Sequence, residues 1–352
     1  MKQDTYLIVM AGGIGSRFWP VSTEEKPKQF LDMLGTGRTL FQQAIDRFLD
    51  VCPIENILVV TSEKYTGIVK DQYPLLMDDN ILAEPCMRNT APCIAYACYK
   101  IKKINTEATI VVTPADHLIA DIDLFQQSIM KGLDFVESNQ AILTLGIHPR
   151  HPETGYGYIQ MKEKDSEITK VNTFREKPDL DTAVSYLAEG GFLWNSGIFL
   201  WSIHAIIAAF EKYSPRIARV FEEGIPHYYT AKEREYINKI YPDCENISID
   251  YCLLEKADNL YVQKASFDWS DLGTWSALWE KTGKNECGNA SSSSHSFFYE
   301  SANNMIQVSP GKTVVVQGLN DYIIVEANNT LLICGKKEEQ RIKEFLKAAQ
   351  TK

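Results

Sequence analysis

The segment 7–22, LIVMAGGIGSRFWPVS, runs an apolar stretch straight into a glycine-rich loop that carries one arginine. Gly12, Gly13 and Gly15 let backbone amides approach an anion closely, Ser16 adds a hydroxyl, and Arg17 adds a bidentate cation. Lys28 follows eleven residues later in the run KPKQFL and supplies a compact point charge. Together these groups offer polyphosphate binding. The glycines taken alone are read equally well as a tight turn after a strand. The loop is not a dinucleotide fingerprint, because Phe18 stands at the third glycine position, and no Gly-Lys-Ser/Thr completes a P-loop.

Carboxylates suited to a metal lie further along. Asp116 closes a β-rich run at 109–112 through a Thr-Pro-Ala turn, and Asp271 lies in WSDLGTW. Two aspartates plus phosphate oxygens are the usual way a protein holds Mg²⁺; each is also read as a turn or capping residue. His117 stands beside Asp116 and is assigned to structure. Glu84 ends the strand at 80–83 and precedes Arg88, Asn89 and Thr90 at a helix start. Its carboxylate can accept from the ring N–H and amine of guanine and would repel the ring acceptor of adenine. A salt bridge to Arg88, or support of the helix, is the other reading. Gly155-Tyr156-Gly157 would let backbone amides approach a hydroxyl, and Asn195 in an aromatic run offers both donor and acceptor to a polyol, although that run is also read as a core strand. Glu176 and Lys177 form a charged pair before a proline, which alone reads as a surface turn.

These side chains must be positioned by an alternation of β-rich runs and amphipathic stretches that fills about the first 290 residues. Strands are expected at 6–10, 57–60, 109–112, 141–145, 156–161, 168–174 and 192–200. Helices are expected after Thr39, which has Gln42 three residues on, after Asn89 or Thr90, and over 123–137. The fold class is α/β: a Rossmann-like domain whose mixed, mostly parallel sheet carries helices on both faces. A composition shift to Asn, Gly and Ser over 285–296, with four consecutive serines, reads as a surface linker. Four short β runs beyond it and a terminal helix over 338–347, with Phe345 and Leu346 on its apolar side, make a small β module. The expected domains are 1–288 and 297–352.

Composition sets the exclusions. With 352 residues, 45% apolar and 23% charged, the chain has the make-up of a folded, water-soluble protein, and its 36 Lys and Arg against 46 Asp and Glu leave a net charge of −10. No basic field exists for nucleic acid or an anionic membrane. No secretory signal opens the sequence, so a cytoplasmic location is expected. Eight cysteines form no C-x-x-C pair and read as reduced core thiols.

The motifs GGIGSRFWPVS and KPKQFL, followed in order by EPCMRNTAP, PADHLI, PETGYGYI, FREKP, WNSGIF, SIDY and WSDLGTW, resemble those of the sugar-phosphate nucleotidyltransferases, and within them the mannose-1-phosphate guanylyltransferases. Phe18, Val21 and Arg175 depart mildly from that pattern. The resemblance implies Mg²⁺-dependent conversion of GTP and mannose 1-phosphate to GDP-mannose and diphosphate. It assigns Arg17, Lys28 and Asp116 to catalysis, and Asp116 with Asp271 to the metal. Gly12, Gly13, Gly15, Ser16, Arg17, Lys28, Glu84, Arg88, Asn89 and Thr90 are assigned to the nucleotide, and Gly155, Glu176, Lys177 and Asn195 to the sugar phosphate. It further implies a β-helix-like C-terminal module and a homodimer. A guanylyltransferase for another sugar 1-phosphate, such as a manno-heptose, would keep every motif. A non-catalytic nucleotide-sugar-binding homologue would be expected to lose the loop cations or the carboxylates.

Overall fold

The computed structural model describes residues 2–13 and 15–350 and divides into two compact units. One comprises the chain up to Gly12 with Ala44–Ala115 and Ile119–Trp269; the other comprises Gly13–Gln43, Asp116–Leu118 and the chain from Ser270 onward.

The strands in chain order are β1 (Thr5–Met10), β2 (Ile57–Ser62), β3 (Ile81–Glu84), β4 (Thr109–Pro114), the two-residue β5 (Leu118–Ile119), β6 (Ile142–Ile147), β7 (Tyr158–Met161), β8 (Ile168–Arg175), β9 (Phe192–Ser202) and β10 (Leu260–Lys264). All of these but β5 join one sheet in the order β3-β2-β1-β4-β9-β6-β10-β8-β7, with β7 also pairing with β9. The pairs β3–β2, β2–β1, β1–β4 and β6–β10 are parallel. The five others are antiparallel. The expected mixed sheet is therefore present, but only its N-terminal half is mostly parallel. The aromatic strand β9 enters antiparallel between β4 and β6 and reverses the pattern.

Helices α1 (Leu40–Asp46), α2 (Thr66–Gln72), α3 (Thr90–Ile104), α4 (Ile122–Ser138), α5 (Leu180–Glu189), α6 (Ile203–Tyr213), α7 (Pro215–Glu222) and α8 (Glu233–Ile240) connect and follow these strands. Leu7, Ile8 and Val9 of β1 are fully buried, as a strand covered on both faces requires. Thr39 and Gln42 form the expected capping box: the Gln42 amide donates to Thr39 Oγ1 at 3.2 Å, and the Thr39 amide to Gln42 Oε1 at 3.0 Å. Asn89 caps α3, its side chain accepting from the Thr90 amide at 2.9 Å. Gly12 and Glu84 follow or end strands at their carboxyl ends, where open α/β sheets place ligands. No helix among the described residues is long and apolar enough to cross a membrane.

The second unit continues through β11 (Trp269–Ser270), α9 (Trp275–Lys281), β12 (Ala290–Ser291), β13 (Ser296–Tyr299), β14 (Met305–Gln307), β15 (Val314–Gln317), β16 (Tyr322–Ala327), β17 (Thr330–Gly335) and α10 (Ile342–Gln350). Two parallel ladders run side by side in sequence, β12–β14–β16 and β13–β15, and β17 closes antiparallel on β16. The serine run is not a free linker. Ser292 Oγ donates to the Val308 carbonyl at 3.1 Å and Ser293 Oγ to that of Lys312 at 2.6 Å, so short hydroxyls fasten one coil of the module to the next. Inside the coil, fully buried Asn304 donates to Asn289 Oδ1 and to the Leu319 carbonyl, each at 2.8 Å. The units do not divide at the composition shift near 285–296. Phe18, Leu31, Met33 and Leu40 share one buried cluster with Leu272, Trp275, Met305, Ile323, Val325 and Leu332, which groups the glycine-rich loop with the C-terminal module. The terminal helix begins later than expected, after a 3₁₀ segment Lys336–Arg341, and it is anchored by fully buried Ile342, with partly buried Phe345 beside the same cluster.

Candidate active site

A cavity of about 240 Å³ in the second unit gathers Gly15, Ser16, Arg17, Lys28, Asp116 and Asp271, together with Phe18, His117, Gly273 and Lys343. Ser16–Phe18 is a single 3₁₀ turn entered from Gly15, whose φ of 63° favours glycine. A Cβ at Gly15 would lie 2.6 Å from Lys28 Cβ, so the loop closes over Lys28 only with glycine there. Gln29 Nε2 donates to the Gly13 carbonyl at 3.1 Å and ties the loop to the 3₁₀ turn Lys28–Phe30.

Lys28 is 4% exposed, and all three of its ammonium protons have protein acceptors. It meets Asp116 Oδ2 at 2.8 Å and the carbonyls of Asp271 and Leu272 at 2.9 and 3.0 Å. It thereby holds both carboxylate-bearing segments. Burial raises the pKa of Asp116, but Lys28, aided by His117, more than offsets this and holds the carboxyl below the usual carboxylate range. Asp271 Oδ1 accepts from the Gly273 amide at 2.9 Å, and a Cβ at Gly273 would come within 2.5 Å of Oδ2. Arg17 Nε donates to Gln340 Oε1 at 3.1 Å, and among the described residues its two terminal guanidinium nitrogens have no hydrogen-bond partner, so they can meet a planar anion.

In the first unit Glu84 is 8% exposed and accepts a short hydrogen bond from the Tyr241 hydroxyl. Burial pushes it up to about 7 against the opposing effect of Tyr241. The Glu84–Arg88 salt bridge is not made: Arg88 donates to the Pro242 carbonyl instead. Gly12 lies beside Glu84, with a Cβ position 3.8 Å from Oε2. Thr90 Oγ1 accepts from the Ile249 amide at 2.9 Å and so fastens the start of α3.

Glu176, Lys177 and Asn195 also come together. Lys177 Nζ lies 2.6 Å from Glu176 Oε1; Glu176 is buried and Lys177 exposed. Burial lowers the Lys177 pKa, but the Glu176 carboxylate outweighs that and raises it overall. The Asn195 side chain is oriented at both ends, its Oδ1 accepting from Thr144 Oγ1 at 2.9 Å and its Nδ2 donating to Asp250 Oδ1 at 3.0 Å. Burial, then the charge of Glu176, raises the pKa of Asp250. Gly155 spends its amide on Glu153 Oε1 at 2.8 Å, whereas Gly157 makes the close approach, its Cβ position 2.6 Å from Glu176 Oε2.

The Nucleotidyl transferase profile matches residues 6–286. The chain belongs to the Nucleotidyl transferase family. It is 34% identical over 349 residues to a mannose-1-phosphate guanylyltransferase of Escherichia coli, covering 96% of this chain and 74% of that protein. A mannose-1-phosphate guanylyltransferase of Klebsiella pneumoniae is 35% identical over 97% of this chain and 74% of its own. Among solved structures, one described as a mannose-1-phosphate geranyltransferase from Thermus thermophilus superposes with a TM-score of 0.88 at 26% identity, covering 99% of this chain and 100% of that one.

The second-unit cavity gathers a glycine turn, an arginine whose terminal nitrogens have no protein partner among the described residues, and two carboxylates. Tyr241, Asp250, Gln340 and Lys343 carry no role in the sequence reading, whereas Gly157 belongs to the Gly155-Tyr156-Gly157 segment expected to approach a hydroxyl. Asp250 lies in the motif SIDY. Nothing local marks the other three, because each meets its partner only through tertiary packing.

Proposed function

We propose that this nucleotidyl transferase couples GTP with α-D-mannose 1-phosphate, giving GDP-mannose and diphosphate. The observation that carries this reading is the convergence of Arg17, Asp116 and Asp271 on one cavity beside the glycine turn; two relatives named for this reaction support the choice of substrates. A phosphate monoester has a second pKa of about 6, so the sugar phosphate oxygen attacks as an anion without a general base. The new O–P bond forms at the α-phosphorus as the bond to diphosphate breaks, with no covalent enzyme intermediate. Catalysis then rests on positioning and charge neutralisation. Arg17 meets the phosphate oxygens, and Lys28 keeps positive charge beside them while fixing Asp116 and the turn of Asp271.

The donor set fits Mg²⁺. Two aspartates line one cavity, a donor set suited to an ion that completes its shell with phosphate and water. Asp116 and Asp271 would hold it, and when bound it neutralises phosphate charge. Glu84 reads guanine. Glu176 and Asn195 take sugar hydroxyls, Lys177 the sugar phosphate, and Gly155 lies on the loop beside them. The parallel ladders of the C-terminal module support a β-helix-like coil.

Pyrophosphate release measured with GTP, ATP, UTP or dTTP against mannose 1-phosphate or glucose 1-phosphate tests the assignment. Release is expected for GTP with mannose 1-phosphate, and Asp116→Ala is expected to lower turnover by about 10³, the scale of losing a transition-state charge partner. Release from a different pair only, or an Asp116→Ala enzyme within tenfold of the parent, would sink it.

A homodimer is part of the same proposal. Phe297, Tyr299 and Val315 on the β13–β15 ladder, and Leu331 and Ile333 on β17, are each at least half exposed, apolar side chains that a second copy of the chain would cover. Light scattering is expected to give twice the chain mass, reduced to one by Leu331→Glu with Val315→Glu; a monomer at all concentrations overturns it.

A further inference from the structure

Lys343 projects from the first turn of α10 into the same cavity as Arg17, Asp116 and Asp271, although it lies 57 residues beyond the last residue of the matched family region. Three observations give it a function. Lys28, the expected second phosphate cation, has every ammonium proton bound by Asp116 and the carbonyls of Asp271 and Leu272. Arg341 takes Glu338 at 2.8 Å and Glu344 at 3.3 Å, and Glu339 Oε2 accepts from the Ser276 amide at 2.9 Å. Among the described residues, no carboxylate lies within ion-pair distance of Lys343, so Arg17 and Lys343 are the cavity's two cations without an anionic partner. The helix that carries Lys343 is held in place from both sides, through fully buried Ile342 in the cluster of Phe18 and Trp275 and through Gln340 on Arg17.

We propose that Lys343 is a polyphosphate-binding residue of the nucleotidyl transfer reaction, contacting the β- and γ-phosphates of the nucleotide and the diphosphate product, and that Gln340 is a positioning residue that sets the Arg17 guanidinium. A flexible ammonium on a helix serves this role as a point charge, beside an arginine whose planar fork fixes orientation. The proposal rests on the nucleotidyl transfer reading but not on the identity of base or sugar. Inorganic pyrophosphate therefore provides a probe independent of both.

Calorimetric titration of the full chain with magnesium pyrophosphate, alongside steady-state kinetics, tests it. Lys343→Ala is expected to weaken pyrophosphate about tenfold and raise the GTP KM by a similar factor, with the mannose 1-phosphate KM within twofold. Lys343→Arg is expected to stay within threefold of the parent, and Lys343→Glu to be worse than alanine. Lys337→Ala, an exposed lysine of the same segment, controls for net charge. Gln340→Ala is expected to lower kcat while leaving pyrophosphate affinity within threefold. Pyrophosphate affinity unchanged in Lys343→Ala, or equally weakened in Lys337→Ala, overturns the assignment. If the parent enzyme binds pyrophosphate but turns over no GTP with mannose 1-phosphate, the substrate assignment fails while the Lys343 comparison still decides this one.

Discussion

Glu84 shows how a single side chain can carry both base choice and a pH signature. Buried and bonded to Tyr241, its carboxyl is pushed up to about 7, so in the free enzyme near neutrality it is divided between acid and carboxylate. Accepting two guanine N–H groups requires the carboxylate. The sign follows: below pH about 7 a proton must leave before guanine binds, so GTP affinity is expected to fall as pH drops, approaching about tenfold per unit, and to level off above pH 8. Glu84→Gln is expected to remove this dependence relative to the parent. It should also raise the GTP KM by about 10- to 100-fold at pH 8, the worth of a charge-assisted pair of hydrogen bonds, and compress the preference over ATP. The phosphates of GTP titrate identically in both proteins, so only the difference between the two profiles counts; a parallel pair of profiles would remove Glu84 from base reading. The candidate residues were legible where the chain places them on short local motifs: Gly15, Arg17, Asp116 and Asp271 do meet. Lys28 was legible as a cation but not as a buried tie, because its acceptors lie at 116, 271 and 272.

At the level of elements, periodicity was a good guide wherever an element buries one regular face. The helix at 90–104, with Asn89 as its cap and Pro92 in its first turn, and the strands at 5–10, 57–62 and 109–114 all read from sequence within a few residues. Two features did not. Strand direction in the second half was hidden because a buried strand has the same apolar run in either direction; β9 is antiparallel to β4, β6 and β7 with no residue that announces it. The serine run at 291–294 has the composition of a linker, yet its hydroxyls meet the Val308 and Lys312 carbonyls fifteen to twenty positions away. Composition reports how polar a segment is, and in a coil of short strands polar side chains also serve as the ladder between turns. The terminal helix was legible as amphipathic, and Phe345 of its expected apolar side packs on the cluster, but its fully buried residue is Ile342, which the sequence did not single out.

The largest consequence at the scale of the chain is that one compact unit is assembled from three separate stretches, 13–43, 116–118 and 270 onward. Four short strands seldom form an independent core, so the module beginning near 297 is expected to pack on the main domain or on another subunit. It packs against the glycine-rich loop: Met305, Ile323, Val325, Leu332 and Ile342 share a buried cluster with Phe18, Leu31 and Leu40. Burying five such side chains contributes on the order of 10 kcal/mol by area, an upper value because unfolded chains already bury some of it. That is the size of a whole domain's stability. A chain ending at residue 286, which retains the full family match, is therefore expected to keep the nine-stranded sheet, seen as most of the far-UV circular dichroism. It is expected to lose the order of the glycine-rich loop. Limited trypsin digestion should cut it rapidly after Lys28, a site protected by burial in the full chain. Turnover should fall by more than about 10³, because the same truncation removes the packing beneath Phe18 and leaves Arg17 without Gln340. A truncated enzyme within tenfold of the full chain, with Lys28 still protected, would show instead that the loop holds its shape on Leu272 and Trp275 alone.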